Sequence, residues 1–101
     1  MFIENLLENK QFSKYQVNKK DIIKSEKFNI VFICLDKNQE ILPHPEPYGV
    51  AFIVLEGKGI FTTKDGEFKL KRNSMIFIRA NEIRGIKSLD KLVIIGIQDG
   101  H

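Results

Sequence analysis

The first nine residues and the remainder of the chain follow different hydrophobic periods. Phe2 with Leu6, and Ile3 with Leu7, recur at helical spacing. This predicts a short amphipathic helix over residues 2–9. A helix of that length is not stable alone, so its apolar face has to dock on the body of the protein. Lys10 to Lys20 is polar, with Phe12, Tyr15 and Val17 as scattered apolar anchors. It reads as an irregular arm entering a first short strand near Asp21–Ser25.

From Phe28 the signal changes to strands. Phe28–Leu35, Val50–Leu55, Met75–Ile78 and Leu92–Ile97 are short apolar runs rich in Val, Ile and Phe. Continuous runs of this kind are expected to be buried on both faces. The chain has no helices to spare for covering a sheet, so the cover must come from a second sheet, from barrel closure or from another subunit. The punctuation is that of antiparallel connections. Lys37-Asn38-Gln39 turns before Ile41, Gly57-Lys58-Gly59 allows a tight positive-φ turn, and Asp65-Gly66 is the strongest hairpin signal. Arg72-Asn73-Ser74, Ala80-Asn81 and Leu89-Asp90 bound the later strands, the last expected over Lys91–Gln98. About nine short strands without a crossover helix make the fold class all-β, a sandwich or barrel. The expected organisation is a helix and arm over residues 1–20 and one β domain over residues 21–101.

The strands are arranged around His44 to Ile60, HPEPYGVAFIVLEGKGI. With the Asp65-Gly66 hairpin and the segment Asn73-Ser74-Met75-Ile76-Phe77-Ile78-Arg79-Ala80-Asn81-Glu82-Ile83-Arg84, this stretch resembles the two motifs of the small single-domain cupins, over roughly residues 28–98. The resemblance implies a cupin-type jelly-roll barrel (a double-stranded β-helix), here with a short N-terminal helix. It also implies a metal site of three histidines and one glutamate. Carried over by position, only His44 survives. Glu46 stands at the second histidine, Val50 (or Gly49) at the glutamate and Arg84 at the last histidine.

That substitution changes the chemistry. Arginine has no lone pair to give and stays protonated, so Arg84 places a cation where a metal would sit. No metal or other cofactor is therefore expected. A divalent metal, if bound, would have His44 and Glu46 as ligands, with Cys34, Glu40 and His101 as conceivable additions. The period of two puts His44 and Glu46 on one face, and in the cupin arrangement that face lines the barrel. Arg84 is expected to approach from the facing sheet.

Several readings follow. In one, Arg84 pairs with Glu46, plugs the site and leaves a structural or interaction subunit. In another, His44, Glu46 and Arg84 line a pocket for a small anionic molecule and Tyr48 closes over it, because the planar fork of arginine suits a carboxylate or phosphate. A third is a metal-dependent isomerase or oxygenase with an altered ligand set. Whether the protein is an enzyme stays open, and binding without catalysis is preferred, because no nucleophile, base and orienting group stand together.

Composition narrows the partners. Hydrophobic content is 43% and charged content 29%, which fits a folded domain. The net charge of +3 comes from lysine clusters with acids interspersed and no stacking aromatics. No nucleic-acid partner is expected, and the lysines read as protected strand edges. No apolar run reaches the roughly 20 residues of a membrane span, and MFIENLLENK does not read as a secretory signal. The single cysteine, Cys34, lies within an apolar strand and reads as a small buried hydrophobe. A lone thiol fits a reducing compartment, so a cytoplasmic location is expected. Phe52, Phe61, Phe68 and Phe77 are expected in core or interface packing, and Glu56 at the Gly57 turn in solvent. The excess of apolar strand surface predicts a homodimer.

Overall fold

In the computed structural model, which describes residues 1–101, nine strands follow one 3-10 turn. They are β1 (Asn18–Lys24), β2 (Phe28–Leu35), β3 (Glu40–Pro45), β4 (Val50–Glu56), β5 (Lys58–Thr63), β6 (Gly66–Lys71), β7 (Met75–Ile78), β8 (Ile83–Ser88) and β9 (Leu92–Asp99). A five-stranded sheet has the order β1-β2-β9-β4-β7, and a four-stranded sheet the order β3-β8-β5-β6. Every pairing is antiparallel.

The two sheets do not close into the expected barrel. Closure needs a continuous hydrogen-bond ladder, and four strands here are edges: β1, β7, β3 and β6. Their sequences resist further pairing. Strand β3 carries Pro43 and Pro45, which cannot donate to a ladder, and β1 and β6 carry lysines. The chain passes between sheets at corners. Gly57, at φ +81°, is the single residue between β4 and β5, which lie in different sheets, so this is a corner and not a hairpin. A Cβ there would lie 1.9 Å from the Lys91 carbonyl oxygen, so only glycine fits. The Asp65-Gly66 hairpin is present one residue earlier than its signal. Thr63 pairs with Gly66, and Lys64 and Asp65 form the turn. Asn38, Asn73 and Asn81 all adopt positive φ in their turns.

The N-terminal helix is not formed. Only Leu6–Asn9 coil, as a 3-10 turn whose start is fixed by the Asn5 side chain accepting from the Leu7 N–H. Phe2, counted on the helical face, precedes that cap and is exposed. Strand β1 begins at Asn18, before its expected start, and a bulge between Asp21 and Ile23 lets Ile23 face Ile30.

The core between the sheets holds twelve buried side chains, among them Leu35, Val54, Phe61, Leu92 and Ile94. A smaller cluster of Phe32, Cys34, Val93 and Ile95 lies on the outer face of the five-stranded sheet, covered by Leu6, Leu7 and Phe12 of the arm. Strands β2 and β9 are therefore buried on both faces over most of their length, as their sequences predict. Strand β4 alternates, and β7 is an edge with Met75 and Phe77 exposed. Their place in the sheet, not their composition, decides this. Phe52 and Phe61 pack in the core, with ring centroids 5.7 Å apart, while Phe68 and Phe77 lie on edge strands and are largely exposed. Glu56 does not serve the Gly57 turn. It forms an ion pair with Lys10 at 2.9 Å, tying the arm to β4.

Candidate functional site

His44 and Arg84 face each other directly across the β3–β8 ladder. Arg84 therefore approaches from the adjacent strand of the same sheet and not from the facing sheet. The two sheets leave room here because both β3 and β8 end within two residues of this pair. The chain beyond β3 is fixed by a hydrogen bond from the Asn81 N–H to the Glu46 carbonyl oxygen, 2.7 Å. That bond joins the segment after β3 to the turn before β8 and brings Glu46, Tyr48 and Arg84 to one end of the sandwich.

Of the four expected residues, His44, Tyr48 and Arg84 line one cavity, whereas Glu46 is outside its lining and meets the group through His44. His44 Nε2 lies 3.0 Å from Glu46 Oε1, and His44 Nδ1 lies 2.8 Å from the Leu42 carbonyl oxygen. Both ring nitrogens thus face acceptors. Glu46 is committed to His44, and the expected Arg84–Glu46 ion pair is not formed. Arg84 instead donates from Nη2 to the carbonyl oxygens of Arg79 (3.0 Å) and Glu82 (3.1 Å), and from Nε to that of Glu82 (3.3 Å). The turn through Asn81, at φ +68°, presents those carbonyls to the guanidinium.

Arg84 is only 4% exposed, and its Nη1 is buried without a hydrogen-bond partner. A buried polar group left in this way costs about 1–3 kcal/mol, and more when charged. A cavity of about 40 Å³ adjoins it, walled by Ile33, Ile41, Val50, Phe52 and Ile86. Its polar lining is His44, Tyr48, Arg84, Lys19 and Gln98. The last two were not among the expected residues. Gln98 had a readable signal: it continues the inward alternation Leu92, Ile94, Gly96 on β9, where an apolar residue would be expected. Lys19 had none, because its side of β1 depends on the register with Ile33.

Tyr48 is part of the cavity lining and stands against Arg84. Its ring lies 5.3 Å from the Arg84 guanidinium carbon, within cation–π range. Its other neighbour is His101, stacked at 3.9 Å between ring centroids. His101 is therefore held, and its Nδ1 also lies 2.8 Å from the Asp99 carbonyl oxygen. Burial, and secondarily the Glu46 carboxylate, push the Tyr48 hydroxyl above its usual pKa, against the opposing pull of Arg84.

The donors present do not fit a metal. His44 has both nitrogens engaged, Arg84 occupies the opposite register position, and no group of three His, Cys, Asp or Glu side chains converges. The additional ligands considered from the sequence lie elsewhere. Cys34 is in the outer cluster, Glu40 is exposed at the other end of β3 and pairs with Lys87, and His101 is behind Tyr48. Burial raises the Cys34 thiol pKa, consistent with an inert packing residue.

With the site described, solved structures give the fold its name. An RmlC-like cupin from Desulfovibrio desulfuricans superposes with a TM-score of 0.89 at 22% identity, covering 98% of this chain and 96% of that one. The fold is that of the cupins. A cupin superfamily protein from Desulfitobacterium hafniense matches with a TM-score of 0.87 at 14% identity, over 95% of this chain and 88% of its own. KdgF from Halomonas sp. matches with a TM-score of 0.84 at 13% identity, over 96% and 91%. No protein-family model matches the sequence, and no curated protein matches it. No helix of the chain is long and apolar enough to cross a membrane.

Proposed function

We propose that this cupin-fold protein binds a small anionic molecule in the pocket beside Arg84, without catalysing a reaction on it. The observation that carries the reading is Arg84, which lines a cavity and has its Nη1 buried without a hydrogen-bond partner. A guanidinium pinned by two backbone carbonyls and without a carboxylate within ion-pairing distance is positioned for an incoming negative group. The surroundings support it. Lys19 adds a second cation, and Glu46, the acid nearest in sequence, is already paired with His44. The plugged reading fares worse, because it needs Arg84 closed on Glu46.

The test is a thermal-shift series on the protein and on Arg84→Met, with sodium salts of small anions at constant ionic strength. Saturable stabilisation of the wild type by at least one anion, absent in the variant, is the expected result. Identical responses of the two proteins would remove the reading.

A second observation favours a homodimer. On the outer face of the five-stranded sheet, Phe77, Ala51, Ile97, Ile30 and Ile23 form an uncharged row across all five strands. Beside it run Met75, Ile53, Ile95 and Phe32. The arm covers the end near β1, while Phe77 and Met75 at the other end are more than half exposed. An uncharged face meets a second copy of itself without needing matched charges, as an isologous contact requires. Sedimentation equilibrium should give twice the chain mass for the wild type and the chain mass for Phe77→Lys. A monomeric wild type would dismiss the dimer.

A further inference from the structure

Most of the large hydrophobic side chains left exposed belong to one face. They are Phe28, Met75, Phe77 and Ile97 on the outer side of the five-stranded sheet, and Met1 and Phe2 on the arm beside it. Phe28 shares the parity of Phe32 and Cys34, which lie in the outer cluster. The uncharged row from Phe77 to Ile23 crosses this face, and the arm lies to one side of it. Met1, Ile3 and Leu6 line a concavity with Ile22 and Phe32, and Lys10 reaches Glu56 on β4. The strand register places Phe32, Cys34, Val93 and Glu56 on the arm's side of the row, and Phe28 and Asp99 on the other.

This placement limits how a second copy can meet the row. A twofold axis in the plane of the face follows either the strands or the row. An axis along the strands turns both arms to the same strand ends. Each arm spans from β1 to β4, so the two would meet arm to arm. Packed sheets lie about 10 Å apart, which leaves no room for two arms, and the rows would be held out of contact. An axis along the row sends the arms to opposite strand ends. Row then lies on row, and each arm lies along the partner's Phe28 and Asp99.

Charge agrees with the second arrangement. Glu4 belongs to the part of the arm over β1 and β2, and Lys24 and Lys27 stand at the turn between those strands, beside Phe28. All three are exposed, and none has an ion-pair partner in its own chain. An axis along the row brings the acid of one copy to the lysines of the other.

We infer that the homodimer is a reciprocal clasp. The two rows pack about a twofold axis that follows the row, and the first residues of each arm cover the partner's Phe28. The inference rests on the homodimer reading above and adds how the copies meet.

The deciding experiment is cross-linking of Ala51→Cys and Ile30→Cys by a bismaleimide of about 10 Å span, the spacing of packed sheets. Sedimentation equilibrium of the wild type accompanies it. The native Cys34 is 1% exposed and does not compete. In the clasp every row position faces its own copy, so each variant is expected to cross-link alone. With the axis along the strands, Ala51 would face the partner's Ile30 across β9, and only a mixture of the two variants would cross-link. A dimeric wild type with dimeric variants that do not cross-link alone would overturn the clasp and leave the dimer standing. A monomeric wild type would overturn both. The second measurement is the dissociation constant of Phe2→Ser, a position 85% exposed in the single chain. It is expected to rise about tenfold, and an unchanged constant would overturn the part given to the arm. That measurement needs no cysteine, so the test survives a cysteine variant that fails to fold.

Discussion

Arg84 and Ser88 sit four residues apart on β8, both buried and both polar, at opposite ends of the same sandwich. Ser88 is satisfied. Its hydroxyl donates to the Asp90 carbonyl oxygen, and the end of the interior around it is filled by Leu35, Val54 and Leu92, all fully buried. Arg84 is only partly satisfied, and the interior beside it is not filled. One strand thus shows two outcomes for a buried polar group. A polar group whose hydrogen bonds are complete closes the structure. One whose bonds are incomplete beside a cavity leaves a place for something else. A concavity of about 190 Å³, between the N-terminal turn and β1, exceeds the pocket beside Arg84 in volume but has no buried polar atom without a partner. Unmet chemistry, more than size, marks the site.

The comparison can be broken most forcefully at the closed end. Leu92→Ala should cost about 2–5 kcal/mol in urea unfolding, because Leu92 is fully buried among neighbours that cannot collapse around the gap. Ile41→Ala, on the half-buried wall of the pocket, should cost less than half as much. Equal costs would mean that the two ends are packed alike. Ser88→Ala should lose about 1–2 kcal/mol by leaving the Asp90 carbonyl without its donor. Arg84→Met is the contrasting case. It leaves the Arg79 and Glu82 carbonyls without their donor but also removes a buried charge with an incomplete set of partners, so the two effects offset and the net loss in a salt-free buffer should stay within about 2 kcal/mol. A loss of several kcal/mol would show that Arg84 is a finished structural element like Ser88.

The smallest effect is alkaline. The folded state holds the Tyr48 proton to higher pH than the ordinary tyrosine value of 10.0. Stability from this group is therefore complete below pH 10.0 and falls as pH rises through the raised folded value. Tyr48→Phe should flatten the decline of unfolding free energy above pH 10.0 and leave the neutral range unchanged. An unaltered alkaline slope would mean that Tyr48 is not held in a desolvated place.

Much of this was legible from the sequence, because strand pattern and turn chemistry are local. The four apolar runs became strands, and Asn38, Asn73, Asn81, Gly57 and Gly66 all took the positive φ that their turns require. His44 and Arg84 came together because β3 and β8 pair there, and the segment just after β3 brings Tyr48 to the same cavity and Glu46 to His44. Partner choice could not be read. Whether Arg84 meets Glu46 or the carbonyls of Arg79 and Glu82 depends on where the Asn81 turn aims its peptide groups, a tertiary detail. The helix over residues 2–9 failed because two apolar pairs at the right spacing do not offset nucleation when Asn5 offers a cap inside the segment. Barrel closure depended on whether edge strands find each other, which strand composition does not encode.

The central claim is that Arg84, whose Nη1 is buried without a partner, is the residue that binds an anion. It is tested most directly by nitrogen-15 NMR of the arginine side chains during titration with sodium bromide at constant ionic strength. The chain has three arginines, Arg72, Arg79 and Arg84. The account predicts that the guanidinium signals of Arg84 shift and saturate, while those of exposed Arg72 and Arg79 do not saturate. Arg84 signals that stay fixed, or that drift together with the other two, would contradict it.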